Sequence, residues 1–312
     1  RVIADIGGTN ARFALLNTDG SIQDEIVLQG ADHPDFVSAF QEYLNRVSKP
    51  NITEAAVAIA NPIEGDSIKM TNHHWHFSIE EARKTLGLDS LIFKNDFEAL
   101  AMSLPFLNKA DLHQVGGGEI QRKRAIGVLG PGTGLGVSGL VFSGEQWIPL
   151  SGEGGHVSLS PTNKRQAQIL EVCWNKYQHV SAERLISGSG LQRIYEAICH
   201  LDQVTMDITL SPQNISRHAL DKSNKQCEET LDVFTAMLGV VAGNLALTLG
   251  AKGGIYIGGG IIPKLGEYFE KSPFREHFEA KGRFNQYLKN IPVFVIKSKH
   301  PALIGIKQAF EN

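Results

Sequence analysis

The chain has 312 residues, 42% of them hydrophobic and 20% charged, with a formal net charge of −3 at pH 7. It is long enough to bury a full core and to form two domains of about 150 residues each. Its near-neutral balance leaves no footprint for nucleic acid or an anionic membrane, so any phosphate must be held by backbone N–H groups and a metal ion.

In chain order, residues 2–6 form a short apolar strand that runs into Asp5-Ile6-Gly7-Gly8-Thr9-Asn10. Residues 11–16 return as a second strand with an Asp19-Gly20 turn behind it. Over 35–47 the apolar residues fall at helical spacing on one face. Residues 55–60 read as a buried strand ending at Asn61-Pro62, and 67–71 as another. Ser78 and Glu81 make a capping box for a helix that stops at Gly87. The apolar run 91–93 is a buried strand, and 97–104 starts a helix.

After Pro105 the order restarts. Residues 124–129 are a strand, 130–136 a glycine loop and 137–142 a returning strand with a Ser143-Gly144 turn. This repeat of strand, Gly/Thr loop, strand and turn predicts a duplicated βββα-type core, each half giving one loop to a shared cleft. Helices are expected at 164–177 and 182–198, a polar segment at 211–224 and a long helix over 228–249. The strand 254–257 runs into Gly258-Gly259-Gly260, 293–296 is a further strand, and 301–310 is a closing helix. The predicted domains are 1–106, completed by 298–312, and 107–297.

No stretch approaches the roughly 18 apolar residues of a membrane span; the longest, near 237–249, is interrupted by Gly239, Gly243 and Asn244. No charged leader or signal core precedes the first strand, so the expected location is the cytoplasm. Cys173, Cys199 and Cys227 stand in no ligand spacing and read as buried or free thiols in a reducing compartment.

Asp96 falls at the carboxyl end of a strand, where open α/β sheets place ligands. With Asn95 beside it, it suits a general base acting on a polyhydroxylated substrate, Asn95 fixing neighbouring hydroxyls; alternatively, Asp96 caps the helix that follows. Gly7-Gly8-Thr9-Asn10 and Gly132-Thr133-Gly134 offer clustered N–H donors and Thr hydroxyls, with Asp5 placed to hold Mg²⁺ through water. Each loop alone could be a structural hairpin; together with 258–260 they point to a nucleotide cleft. No G-x-x-x-x-G-K-[ST] occurs. The G-x-G-x-x-G match at 134–139 is followed by a strand, which removes the dinucleotide reading.

The motifs DIGGTNAR at 5–12, MTNHHWHFS at 70–78, KNDFEA at 94–99, GPGTGLGV at 130–137, GEGGHV at 152–157, SAERLISG at 181–188 and GGGIIPK at 258–264 run nearly end to end. In that order they resemble the bacterial ATP-dependent glucokinase family. The resemblance implies an α/β fold of duplicated RNase H-like domains of the actin and hexokinase type, with a cleft between them. It implies that Asn95, Asp96, Glu153, His156 and Glu183 contact the sugar, Asp96 as base. It also implies that the two glycine loops hold the ATP phosphates, that Gly258, Gly259 and Gly260 border the adenosine, and that the protein is a homodimer. From the residues alone, Glu183 could be a first-turn acid of a helix, and Glu153 and His156 an exposed loop pair.

The expected reaction is ATP- and Mg²⁺-dependent phosphorylation of D-glucose at its 6-hydroxyl, the entry step of glycolysis, with domain closure excluding water. The alternatives are a kinase for another hexose such as mannose, a sugar-sensing non-catalytic relative, and an actin-like or chaperone-like ATPase. Related sugar kinases carry a cysteine-rich zinc motif after their Gly-His segment. Nothing of the kind follows His156, so no structural zinc is expected. His73, His74 and His76 lack a partner at ligand spacing and read as a solvated loop.

Overall fold

The computed structural model describes residues 1–48, 51–71 and 73–311. Asn72 of the 70–78 motif and Asn312 at the end of the closing segment lie outside the described residues. The chain divides into two compact units, Arg1–Leu107 with Ser298–Asn312, and Asn108–Lys297.

In the first unit, β1 (Val2–Ile6), β2 (Asn10–Leu16) and β3 (Ile22–Gln29) form an antiparallel meander. Strand β4 (Glu54–Ile59) lies parallel to β1, and β7 (Ser90–Asn95) parallel to β4, giving the order β3-β2-β1-β4-β7. The hairpin β5 (Ser67–Lys69) and β6 (His76–Ser78) stands apart from this sheet.

Strands β1 and β4 are apolar apart from Asp5 and Glu54 because both of their faces are covered. Val2, Ala4 and Ile6 pack with Phe13, Phe36, Phe40 and Tyr43 on one face, the side of helix α1 (Phe36–Arg46). Ile3, Ala56 and Ala58 pack on the other with Ala99, Met102, Leu303 and Ile306, from α3 (Asp96–Ser103) and the C-terminal helix Pro301–Ile306. Helix α1 opens with a capping box, Asp35 accepting from the Ser38 N–H. Helix α2 (Ile79–Leu86) is capped by Ser78 and ends at Gly87 in the left-handed region, φ 68°.

The second unit repeats the same five-strand order with one antiparallel strand added, β11-β10-β9-β12-β13-β8. The strands are β8 (Leu112–Gln114), β9 (Ile126–Pro131), β10 (Leu135–Ser143), β11 (Gln146–Leu150), β12 (Ile255–Ile257) and β13 (Val293–Ile296). As in the first unit, β9, β10 and β11 are antiparallel, while β9, β12 and β13 are parallel. The duplication expected from the repeated strand-loop-strand pattern is thus present strand for strand.

The helices of this unit are α4 (Lys164–Trp174), α5 (Ala182–Leu185), α6 (Gly188–Asp202), α7 (Pro212–Leu220), α8 (Lys225–Leu249), α9 (Glu267–Lys271), α10 (Phe274–Glu279) and α11 (Asn285–Lys289). Three expectations change here. The single helix over 182–198 is two, because Ser187 caps a new start, accepting from the Gly190 N–H at 3.1 Å. The polar segment 211–224 contains α7, with Ser211 as N-cap and Pro212 at its first position.

The third concerns α8, which Gly239, Gly243 and Asn244 do not interrupt. Its 25 residues are long and apolar enough to cross a membrane, but 78% of its most apolar window is buried inside the protein. The glycines let another helix in. A Cβ at Gly239 would overlap the Phe274 carbonyl, and one at Gly243 would lie 2.6 Å from the Phe278 oxygen, both on α10. The three cysteines are free and buried, and burial pushes their thiols up, Cys227 to about 11.

Candidate active site

In the first unit the parallel strands end in register, Ile6 beside Ile59 and Ile59 beside Asn95. The Gly7–Asn10 turn, Asn61 and Asp96 therefore stand at one end of one sheet, the carboxyl end of its parallel strands. The turn is closed by the Gly7 N–H donating to the Asn10 carbonyl at 2.9 Å and by the Gly30 N–H donating to the Thr9 carbonyl at 2.8 Å. Gly8, Thr9 and Asn10 are exposed at its tip.

The cap of α3 is Asn95 and not Asp96: the Asn95 Oδ1 accepts from the N–H groups of Phe97 and Glu98 at 2.9 and 3.3 Å. Asn95 has the wider reach, being one residue outside the helix. Its Nδ2 donates to the Asn61 carbonyl at 3.3 Å, so both polar ends of the side chain serve the junction. Asp96 is the first helical residue, half-buried, with its Oδ1 accepting from the Phe97 N–H at 2.9 Å. Lys94 and the buried Glu98 pair across it at 2.7 Å.

Asp5 sits on β1 opposite Arg12 on β2, their side chains 3.3 Å apart. Arg12 also lies 3.0 Å from Glu25, a charge contact without hydrogen-bond geometry, and His300 lies 3.2 Å from the same carboxylate. Burial pushes the Asp5 carboxyl up, offset in part by Arg12 and His300; burial, with Arg12, pushes His300 down. Arg12, Glu25 and His300 were not singled out from the sequence. Arg12 was legible: in DIGGTNAR, a hairpin turning at 7–10 sets residue 12 opposite residue 5.

This geometry has a stability consequence. A carboxyl whose folded pKa is raised destabilises the fold once ionised, and the cost is absent below its unfolded pKa. Asp5→Asn is therefore expected to raise the thermal midpoint at pH 7, with the gain vanishing on acidification, while lowering activity. Thermal scans across that range read the sign directly. As a cation site, one carboxylate fits Mg²⁺, a hard ion that keeps its waters and takes the rest of its shell from substrate phosphates.

In the second unit the corresponding turn is Gly132-Thr133-Gly134, shorter than the expected 130–136 because β9 continues through Pro131 and β10 begins at Leu135. The Gly132 N–H donates to the Gly134 carbonyl, and the Gly132 carbonyl accepts from the Gly188 N–H at the start of α6, both at 2.8 Å. The 258–260 turn lies alongside: the Gly258 N–H donates to the Leu129 carbonyl at 2.9 Å, and Gly259, at φ 79°, approaches the backbone of Gly130 and Pro131 too closely for a Cβ. Thr133, Gly259 and Gly260 are exposed.

Glu153, His156 and Glu183 join this end of the second unit. Residues 157–159 and 180–182 are tied by the Ala182 N–H donating to the Val157 carbonyl and the Leu159 N–H donating to the Val180 carbonyl, at 2.8 and 3.1 Å. That tie holds His156 on one side and Glu183, in the first turn of α5, on the other. Glu153 and His156 are exposed, 3.9 Å apart. The Glu183 Oε2 accepts from the Leu135 N–H at 2.9 Å.

The glucokinase family model matches residues 2–312. The glucokinase of Neisseria meningitidis serogroup C is 50% identical over 312 residues, covering 100% of this chain and 95% of that protein. The glucokinase of Chromobacterium violaceum is 48% identical over 306 residues, covering 98% and 88%. Among solved structures, a glucokinase from an Antarctic psychrotroph superposes with a TM-score of 0.90 at 34% identity, covering 100% of this chain and 98% of that one.

Proposed function

The chain belongs to the glucokinase family, and on that premise we propose how its residues divide the work of ATP-dependent glucose phosphorylation. Asp96 takes the proton of the attacking 6-hydroxyl, a contribution of about 10²–10⁴ in rate. Asn95 fixes the chain around it and contacts the sugar. Glu153, His156 and Glu183 pair with the remaining hydroxyls, each of which both donates and accepts, so an epimer leaves one partner unsatisfied.

The turns at Gly7, Gly8, Thr9 and Asn10 and at Gly132, Thr133 and Gly134 hold the ATP phosphates through backbone N–H groups. Gly258, Gly259 and Gly260 border the adenosine. Asp5 would hold Mg²⁺, which would supply charge neutralisation on the phosphates. The observation that carries this reading is the placement of Asp96 at the sheet end that also presents the Gly7–Asn10 turn. The family resemblance further supports a homodimer, a cytoplasmic location and a place at the entry to glycolysis.

A coupled assay for glucose 6-phosphate with Mg-ATP, repeated with mannose, tests the reading. Turnover with glucose at a kcat/KM above that for mannose is the expected result. Glucose binding without turnover would replace the kinase by a sugar sensor, and a preference for mannose would replace the substrate.

A further inference from the structure

Glu183 is held in the second unit by contacts that lead to the phosphate turn. Its Oε2 accepts from the N–H of Leu135, the residue that follows Gly132-Thr133-Gly134. A Cβ on Gly134 would overlap that same oxygen, so the turn closes directly against the carboxylate. On its other side, the Leu135 carbonyl packs against Gly155 so closely that a Cβ there would also overlap. Gly155 lies between Glu153 and His156. One residue, Leu135, at the end of the turn, thus touches through its N–H and its carbonyl both segments of this unit that carry sugar residues.

We infer that Glu183 and the backbone of Leu135 form a mechanical link between the sugar and nucleotide positions, through which each substrate alters the affinity of the other. The inference rests on the reading that Glu183 contacts the sugar. A carboxylate can accept from more than one donor, so Glu183 can hold the Leu135 N–H and a sugar hydroxyl together. A sugar that orders the carboxylate then orders the start of β10 and the turn before it. Phosphates that draw the turn toward them move the carboxylate's anchor. The effect is reciprocal because binding free energies are linked. Gly134 is a positioning residue in this scheme: it touches no sugar, yet it sets where the Glu183 carboxylate stands.

Calorimetric titration of glucose, without nucleotide, into the wild type, Gly134→Ala, Glu183→Ala and the double variant tests the link. Gly134→Ala is expected to weaken glucose binding about tenfold, and the double variant to bind within about twofold of Glu183→Ala alone, since both changes act through one carboxylate. Unchanged glucose affinity in Gly134→Ala, or additive losses in the double variant, would overturn the link.

A second titration needs no change in the turn and stands even where Gly134→Ala does not fold. Glu183→Ala is expected to weaken a non-hydrolysable ATP analogue about fivefold in the absence of sugar; unchanged nucleotide affinity would overturn the link. If Glu183→Ala instead binds glucose as the wild type does, the sugar assignment of Glu183 has failed, whatever its effect on nucleotide, and the inference falls with it.

Discussion

Asp96→Asn is expected to lower kcat by about 10²–10⁴-fold while leaving the glucose Kd within about threefold of wild type. The cap of α3 does not depend on the charge of Asp96. Asn95 caps α3 through two N–H groups, and an amide at position 96 still offers an oxygen to the Phe97 N–H that Asp96 Oδ1 now accepts. What the amide cannot do is take a proton from the attacking hydroxyl. Loss of an interaction made only in the transition state lowers kcat and kcat/KM together, so steady-state kinetics with a parallel binding titration separates this from a damaged sugar site. Retention of more than about a tenth of wild-type kcat would remove Asp96 from the role of base.

Gly305→Ala is expected to be the most damaging single methyl group in the first unit. A Cβ at Gly305 would overlap the Ala99 carbonyl and lie 2.9 Å from the Ser103 nitrogen, backbone atoms of α3 that no rotamer change can clear. The C-terminal helix would have to lift from the face formed by Ile3, Ala56, Ala58 and Met102. Overpacking against rigid backbone costs about 3 kcal/mol or more, a fall in the thermal midpoint of roughly 12 °C or more for a unit of this size. Because α3 begins at Asp96, activity should fall with stability even though Gly305 contacts no substrate. An unchanged midpoint by calorimetry would mean that the two helices do not pack as described.

What could be read from the sequence followed burial. Strands β1 and β4 were legible because cover on both faces makes them apolar at every position but Asp5 and Glu54. Strand β3 was not, because Ile22–Gln29 is an edge strand with Asp24 and Glu25 in its middle and little of it buried. The short strands β8 and β11 escaped notice for the same reason. The break between α5 and α6 was hidden by apolar spacing that continues through Ile186. The start of α7 was signalled by Ser211-Pro212 and masked by its polar company.

At the site, glycines and strand ends identified both turns and Asp96. The choice of cap between two adjacent residues that can both cap helices could not be read from their types. The bond from Leu135 to Glu183 spans 48 positions, beyond the reach of any local pattern.

The chain leaves the first unit at Leu107 and returns to it only at Ser298, and this reverses the usual order of maturation during synthesis. Domains generally complete themselves from the amino end as they emerge from the ribosome. Here the amino-terminal sheet must wait, one apolar face covered by α3 alone, until the whole of the second unit has been translated. A second unit that folds in the meantime shortens the effective loop that residues 298–310 must close. Until then, Ile3, Ala14, Ala56 and Ala58 present a partly uncovered surface of the kind that aggregates or recruits chaperones. A nascent chain halted before residue 298 would therefore carry Asp96 on a helix without its packing partner, a sticky and inactive intermediate rather than a half-active enzyme.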